Sequence, residues 1–120
     1  MEANILLVED EPLSRRNLAV LLETEGYRVS EAENGEDAVE LIKDMAFDLI
    51  ITDLVLPGSV NGLDVVACHR RVSPGKGAIL ITGFGSRPLE EKALALDIDY
   101  LPKPIDLDEL LLKVKILVAR

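Results

Sequence analysis

Short apolar runs alternate with longer mixed segments along the whole chain. Runs rich in Ile, Leu and Val are typical of buried strands in a parallel sheet when polar residues bound them. One further run, Tyr27–Glu31, alternates polar and apolar residues as an edge strand does. The predicted strands are Asn4–Val8, Tyr27–Glu31, Phe47–Thr52, Ala78–Ile81 and Ile98–Leu101.

The segments between these strands carry signals that begin and end helices. Such signals are proline in a first turn, asparagine before an amino end and glycine after a carboxyl end. In chain order they are Pro12 and Gly26 around the first helix, Asn34-Gly35 at the second and Gly75 after the third, with two more helices at about residues 87–96 and 106–118. A strand–helix unit repeated about five times predicts an α/β fold, with helices on both faces of a parallel sheet.

Composition limits the number of domains and the class of partner. A chain of 120 residues that is 48% hydrophobic has room for one core, so we expect a single domain over residues 1–120. Acidic residues outnumber basic ones by 22 to 13, and the net charge of −9 argues against direct nucleic-acid binding. Neither an apolar run near the roughly 20 residues of a membrane span nor a signal peptide is present. We expect a cytoplasmic protein without membrane contact.

The single cysteine and the single histidine exclude several kinds of site. Cys68 and His69 are adjacent, which leaves no spaced ligand set for structural zinc and no disulfide within the chain. A Ser-His-Asp or Cys-His mechanism would depend on His69. Because Arg70 and Arg71 follow it, we expect His69 at an exposed helix end, outside any active site.

Polar residues follow four of the predicted strands. In chain order they are Glu9-Asp10-Glu11, Asp53, Thr82 and Lys103. Ligands of open parallel sheets bind at the carboxyl ends of the strands, so we expect these side chains in one crevice. Clustered carboxylates repel one another, and a divalent cation such as Mg²⁺ relieves the repulsion. A lysine and a hydroxyl across the crevice suit the oxygens of a phosphoryl group.

Four sequence blocks occupy these strand ends. They are Leu7–Glu11, Thr52–Pro57, Ile81–Gly83 and Tyr100–Pro104. In this order they resemble the signature of the receiver domain of two-component response regulators and hybrid histidine kinases, over essentially the whole chain. The resemblance implies a flavodoxin-like, doubly wound (βα)5 three-layer sandwich, with a five-stranded parallel sheet in the order 2-1-3-4-5.

The resemblance also implies a phosphoacceptor and a set of Mg²⁺ ligands. Asp53 would accept a phosphoryl group from a phosphohistidine of a sensor histidine kinase or a histidine phosphotransfer protein. Asp10 and Asp53 would bind Mg²⁺ directly, the backbone carbonyl of Val55 would be a third ligand, and Glu9 would hold a metal-bound water. The domain would be a signalling switch that takes part in its own phosphorylation and slow dephosphorylation, and not an enzyme.

Three further positions complete the implied switch. Lys103 would neutralise phosphoryl oxygens during transfer. Thr82 would move to bond the phosphoryl group, and the ring of Tyr100 would rotate inward behind it. A helix cap for Thr82 and ordinary core packing for Tyr100 are the structural alternatives.

Some positions depart from the family pattern. The loop Leu54–Gly62 is one residue longer than the commonest form, Gly83 replaces an alanine, and Leu96-Asp97 replaces Ala-Gly. Val55 and Phe84 stand at positions that influence hydrolysis in the family. Neither side chain can orient a water by hydrogen bonding, so we expect slow dephosphorylation.

Two other classes of function compete with the receiver. An aspartate-nucleophile phosphohydrolase also places Asp and Mg²⁺ at a strand end, but it needs a second Asp where this chain has Val55. A nucleotide or flavin binder is suggested by Gly83-Phe84-Gly85, but the third glycine of a dinucleotide fingerprint would fall at Pro88.

Two helices carry apolar residues beyond those that a core needs. At 100° per residue, the first helix turns Leu18, Leu21 and Leu22 toward the sheet and leaves Leu13 and Val20 on another face. Receivers commonly offer this helix to the phosphodonor, so we expect Leu13 and Val20 to contact the kinase.

The last helix carries two apolar stripes. A second stripe of Leu112, Ile116 and Ala119 faces away from the core, where charged residues are expected. We expect Leu112 and Ile116 to contact another receiver or an effector, unless they are scattered surface apolars. The stripe for the core comprises Leu107, Leu110, Leu111, Val114, Leu117 and Val118.

Overall fold

The computed structural model describes residues 2–83, 87–96 and 98–119. The strands are β1 (Asn4–Val8), β2 (Arg28–Ala32), β3 (Leu49–Asp53), β4 (Gly77–Thr82) and β5 (Asp99–Pro102). The helices are α1 (Pro12–Thr24), α2 (Gly35–Asp44), α3 (Gly62–Val72), α4 (Arg87–Ala95) and α5 (Leu107–Val118). The strands pair in parallel in the order β2-β1-β3-β4-β5. The flavodoxin-like α/β fold and its strand order are therefore confirmed.

The core lies on both faces of the sheet, because successive residues of a strand point to opposite sides. In β1, Leu6 and Val8 pack with residues of α2 and α3 on one face. Ile5 and Leu7 pack with residues of α1 and α5 on the other face. All four are fully or almost fully buried, which gives the three layers that the alternation of strands and helices predicts.

The strands that carry candidate residues extend further than predicted. β3 ends at Asp53 and β4 at Thr82, one residue beyond each predicted end. Pairing explains the extension, since Asp53 is in register with Ile81 and Thr82 with Pro102. The phosphoacceptor candidate and the candidate hydroxyl are therefore held by the sheet itself.

His69 is buried, and its predicted position at an exposed helix end is wrong. The ring has no exposed surface, and Nε2 donates to the carbonyl of Gly77 at 3.1 Å. Cys68 and His69 follow Val65 at the i+3 and i+4 spacing that faces the core, whereas Arg70 points to solvent. Burial lowers the pKa of His69. A cationic neighbour in sequence did not indicate exposure, because one residue turns a helix by about 100°.

The faces of α1 and α5 agree with prediction except at one residue. Leu18 and Leu22 of α1 are buried. In α5, Leu110, Val114 and Leu117 are buried, whereas Leu107 is 48% exposed and the prediction of a core position for it is wrong. Leu107 lies in the first turn of the helix and lines a groove. Within the described ranges, every helix is too short or too polar to span a membrane.

Candidate functional site

Three carboxyl groups meet at the carboxyl ends of β1 and β3. Val8 pairs with Thr52 across the two strands, so that Glu9 and Asp53 follow at the same level of the sheet. Carboxylate oxygens of Glu9, Asp10 and Asp53 lie within 4.8 Å of one another. Glu9 and Asp53 are buried and Asp10 is exposed. The cluster thus opens to solvent on the side of Asp10.

Glu11, the third acid of the predicted run, is used differently. Its carboxylate accepts hydrogen bonds from the backbone N–H groups of Leu13 at 3.2 Å and Ser14 at 2.6 Å. An acidic residue in this position caps the helix and interacts favourably with its dipole. Glu11 therefore begins α1, and the cluster consists of Glu9, Asp10 and Asp53.

Lys103 brings a positive charge to the cluster from the end of β5. It directly follows β5, and its backbone N–H donates to the Thr82 carbonyl at 2.7 Å. Its Nζ lies 3.2 Å from Oδ1 of Asp53 and 3.6 Å from Oε2 of Glu9. Burial opposes its charge, but the attraction of Asp53 and Glu9 outweighs burial and raises the pKa of Lys103. The side chain of Lys103 therefore stays protonated and positively charged.

The ionised form of Asp53 is destabilised by its surroundings. Burial and the nearby carboxylate of Glu9 raise the pKa of Asp53 from 3.8 to about 7, although Lys103 acts in the opposite direction. Its Oδ1 is buried and has no hydrogen-bond partner in the described part of the chain. Lys103 Nζ lies 3.2 Å from this oxygen and forms an ion pair with it. More positive charge at Oδ1 would stabilise the ionised form.

The donor set fits Mg²⁺. All three side chains offer carboxylate oxygens, the ligands that this hard cation prefers, and Mg²⁺ needs only one or two of them together with waters and a phosphate. The buried Oδ1 of Asp53 accepts no hydrogen bond from the described residues and is therefore available as a ligand atom. The opening beside Asp10 leaves room for waters.

The sequence profile of the response regulator receiver domain matches residues 5–115. This chain belongs to the response regulator receiver family. It is 36% identical over 121 residues to the transcriptional regulatory protein ResD of Bacillus subtilis (strain 168), covering 99% of this chain and 49% of ResD. It is 36% identical over 123 residues to the TorCAD operon transcriptional regulatory protein TorR of Escherichia coli (strain K12), covering 100% of this chain and 52% of TorR.

A solved receiver structure supports the same assignment. The CheY-like response regulator receiver domain protein from Methanospirillum hungatei JF-1 has a TM-score of 0.89 and 28% identity, covering 99% of this chain and 95% of that chain. The present chain spans about half the length of the curated relatives ResD and TorR. Receiver domains are signalling modules, and this chain is one of them by sequence and by fold.

Thr82 and Tyr100 occupy different environments in this receiver domain. Thr82 is buried, and its hydroxyl donates to the Leu101 carbonyl at a long 3.4 Å. Tyr100 is 45% exposed, so ordinary core packing does not describe it. The residues that precede α4 lie outside the described ranges, and the helix-cap alternative for Thr82 stays open. The hydroxyl of Thr82 therefore forms only a long, weak hydrogen bond.

The loop from β3 to α3 shapes the side of the receiver site next to Asp53. Val55 is 54% exposed, and Phe84, the other residue predicted to influence hydrolysis, lies outside the described residues. Gly58 has a φ of +88°, which a glycine adopts without strain. The loop therefore turns at Gly58 without backbone strain.

Sequence reasoning missed two residues that shape the receiver site. A Cβ atom on Gly62 would lie 2.2 Å from the carbonyl oxygen of Asp53, so only glycine lets α3 begin this close to the end of β3. The Asn61-Gly62 pair was a local signal for the helix start, because Asn61 forms a capping box with Asp64. The second residue is Arg15, whose Nη1 donates a hydrogen bond to the Glu9 carbonyl at 2.8 Å. No local sequence pattern predicts this contact.

A groove adjoins the acid cluster on the side of α1 and α5. Its volume is about 400 Å³, and its lining includes Glu9, Ser14, Asn17, Lys103 and Ile105. Leu13 and Val20 of α1, which were predicted to face solvent, are 68% and 49% exposed. Leu112 and Ile116 of α5 are 59% and 54% exposed. The apolar surfaces predicted from helical periodicity are therefore confirmed as exposed, and their partners stay predictions.

Proposed function

We propose that this receiver domain is a phosphoacceptor switch of a two-component phosphorelay. The phosphoryl group comes from a phosphohistidine of a sensor histidine kinase or a histidine phosphotransfer protein. A carboxylate oxygen of Asp53 forms the new bond to phosphorus while the bond from phosphorus to the imidazole nitrogen breaks. The observation that carries the proposal is the buried carboxylate of Asp53 with Lys103 Nζ at 3.2 Å and two further acids beside it.

Each residue of the crevice has one task in this proposal. Asp10 and Asp53 bind Mg²⁺ directly, with the Val55 carbonyl as a further ligand and Glu9 holding a water. When bound, the cation supplies positive charge to the phosphoryl oxygens. Lys103 neutralises the remaining phosphoryl charge from the opposite side, where its Nζ already reaches Asp53 and Glu9. These contacts hold donor and acceptor in line.

The phosphoryl group is read out through Thr82 and Tyr100. Thr82 exchanges its 3.4 Å bond to the Leu101 carbonyl for a stronger bond to a phosphoryl oxygen. Movement of Thr82 frees space behind it, and the half-exposed ring of Tyr100 rotates inward. The surface of α4, β5 and α5 changes as a result. We place the switch in the cytoplasm, as one receiver domain over residues 1–120, with no direct contact to nucleic acid or membrane.

A small phosphodonor such as acetyl phosphate tests this function. A receiver incubated with it and Mg²⁺ gains one phosphate that is stable in acid and labile to hydroxylamine, as an aspartyl phosphate is. A phosphohydrolase would instead release phosphate over many turnovers, and a nucleotide or flavin binder would do neither. Absence of any labelled protein in the presence of Mg²⁺ would contradict the proposal.

We expect the Val55→Asn substitution to speed hydrolysis of the aspartyl phosphate by about tenfold, because an amide beside the phosphoryl group orients the attacking water. Val55 is 54% exposed and apolar, so the native site offers this water no hydrogen bond from that side. The measurement is the loss of labelled phosphate from purified phosphoprotein. Val72→Asn, at an exposed position at the end of α3, is the matched control. An unchanged rate in Val55→Asn would refute the explanation.

We expect the double substitution Leu13→Ala and Val20→Ala to slow transfer from the cognate kinase by about tenfold, because exposed apolar side chains are typical anchors of an interface. Both residues lie on α1, and Leu13 directly follows Pro12 at its amino end. The reaction with acetyl phosphate should keep its rate. Met45→Ala with Val72→Ala, both exposed, serves as control. Equal slowing with both donors would instead indicate damage to the acid cluster.

We expect Leu112→Glu with Ile116→Lys to weaken self-association or effector binding, because the two exposed side chains lie one turn apart on α5. Labelling of Asp53 by acetyl phosphate should be unaffected. Sedimentation with and without beryllofluoride, a phosphoryl mimic, measures self-association. A monomer under both conditions would eliminate the homodimer and leave the effector as the partner to test.

A further inference from the structure

We propose that Arg15 is a positioning residue of the acid cluster, which acts through the backbone of Glu9 and sets the affinity of the cluster for divalent cations. The inference rests on the proposed function, because it concerns the same carboxylates of Glu9, Asp10 and Asp53. The hydrogen bonds of Arg15 go to the Glu9 carbonyl and to Glu31. Arg15 thus holds the chain that carries two of the three acids.

Both backbone polar groups of Glu9 are bound by other parts of the fold. Its N–H donates to the Ala32 carbonyl at 3.1 Å, and its carbonyl accepts from Nη1 of Arg15 at 2.8 Å. These bonds fix the two planar peptide groups that flank Glu9, and the second of them leads to Asp10. The backbone N–H of Glu11 also donates to Glu9 Oε1 at 3.3 Å. The directions of the Glu9 and Asp10 side chains are therefore set together.

Arg15 is itself held in place. Its Nε forms an ion pair with Oε1 of Glu31 at 3.3 Å, and only 16% of its side chain is exposed. Glu31 lies on β2, in register with Leu7 of β1. A guanidinium carries several N–H donors in one rigid plane, so that a single side chain bonds a carboxylate and a carbonyl at once. Arg15 joins α1, β2 and the loop of Glu9 and Asp10.

The neighbouring Arg16 provides a matched comparison. It also pairs with Glu31, through the other carboxylate oxygen, and with Glu23 at 3.1 Å. Its side chain is 55% exposed, and its hydrogen bonds go to these two carboxylates. The two arginines have the same charge, the same helix and a common partner. They differ in the bond from Arg15 to the Glu9 carbonyl and in burial, and the free energy of unfolding measured below separates the two effects.

The experiment compares Arg15→Met with Arg16→Met, since methionine keeps an unbranched apolar side chain and removes the charge and the donors. The dissociation constant for Mg²⁺ is measured by titration calorimetry without a phosphodonor, and the free energy of unfolding is measured in chelator. We expect the dissociation constant to rise about tenfold in Arg15→Met, as for other residues that orient metal ligands. Arg16→Met should stay within about twofold of the wild type.

A purely structural role would lower the free energy of unfolding of Arg15→Met without changing its Mg²⁺ dissociation constant, and that result would overturn the inference. Equal weakening in both variants would also overturn it, because charge alone would then explain the effect. If Arg15→Met does not fold, Arg15→Lys replaces it. One ammonium cannot hold both Glu31 and the Glu9 carbonyl, so an unchanged dissociation constant there refutes the role of Arg15. Wild-type protein that neither binds Mg²⁺ nor becomes labelled would instead contradict the proposed function.

Discussion

The Asp53→Asn variant of this receiver domain is expected to gain no phosphate from a phosphorylated kinase or from acetyl phosphate. The amide has almost the shape of the carboxylate but lacks a nucleophilic oxygen. Loss of a nucleophile lowers the rate by roughly a thousandfold or more, so labelling should fall below detection. The amount of hydroxylamine-labile phosphate per protein measures the effect.

Asp44→Asn is the matched control for this prediction. Asp44 is exposed at the end of α2, and the same change of charge there should leave labelling intact. Circular dichroism should report the same secondary structure in both variants. Labelling of Asp53→Asn at another residue, at the wild-type rate, would show that the assignment of the phosphoacceptor is wrong.

The same substitution is expected to stabilise the metal-free protein at pH 8 by about 2–4 kcal/mol. In the unfolded chain Asp53 loses its proton near its ordinary pKa of 3.8, whereas in the folded protein it holds the proton up to about pH 7. The folded state binds more protons between these values, so its stability falls as the pH rises from about 4 to 7. Asparagine carries no charge and avoids this loss.

Urea unfolding in chelator at pH 8 and pH 4 measures this difference. The advantage of Asp53→Asn should be large at pH 8 and small at pH 4, because the loss of wild-type stability accumulates only as the pH rises above the unfolded-state pKa of 3.8. His69 has a lowered pKa and destabilises the fold below about pH 6.5, but it acts equally on both proteins and cancels in the comparison. Added Mg²⁺ should stabilise the wild type more than the variant at pH 8. An advantage that does not depend on pH would contradict the electrostatic explanation.

The order of elements was accessible from the sequence because it depends on local patterns. The run Asn4–Val8 became β1 with the same limits, since a continuous apolar run between polar residues has few alternatives in a parallel sheet. Leu112 and Ile116 were correctly predicted to be exposed from the 100° turn per residue alone. The predicted core position of Leu107 was wrong because this side chain lines a groove that is open to solvent.

The chemistry of the site was accessible for a similar reason. The carboxyl ends of parallel strands meet at one edge of the sheet, so Glu9, Asp53, Thr82 and Lys103 were expected together from their positions after strands. The structure brings Glu9, Asp10, Asp53 and Lys103 within ion-pair or ligand distance. Their roles in phosphoryl transfer remain proposals.

Sequence by itself thus determined the order of strands and helices, the charged and polar groups at the strand ends and the resemblance to the receiver family, because these follow from residues near one another in the chain. Tertiary structure alone decided the burial of His69, the raised pKa of Asp53 and the hydrogen bond from Arg15 to the Glu9 carbonyl. Each of these depends on how far solvent is excluded or on a side chain reaching a distant strand. Burial and long-range contacts arise only when the helices pack on the sheet, so no local pattern contains them.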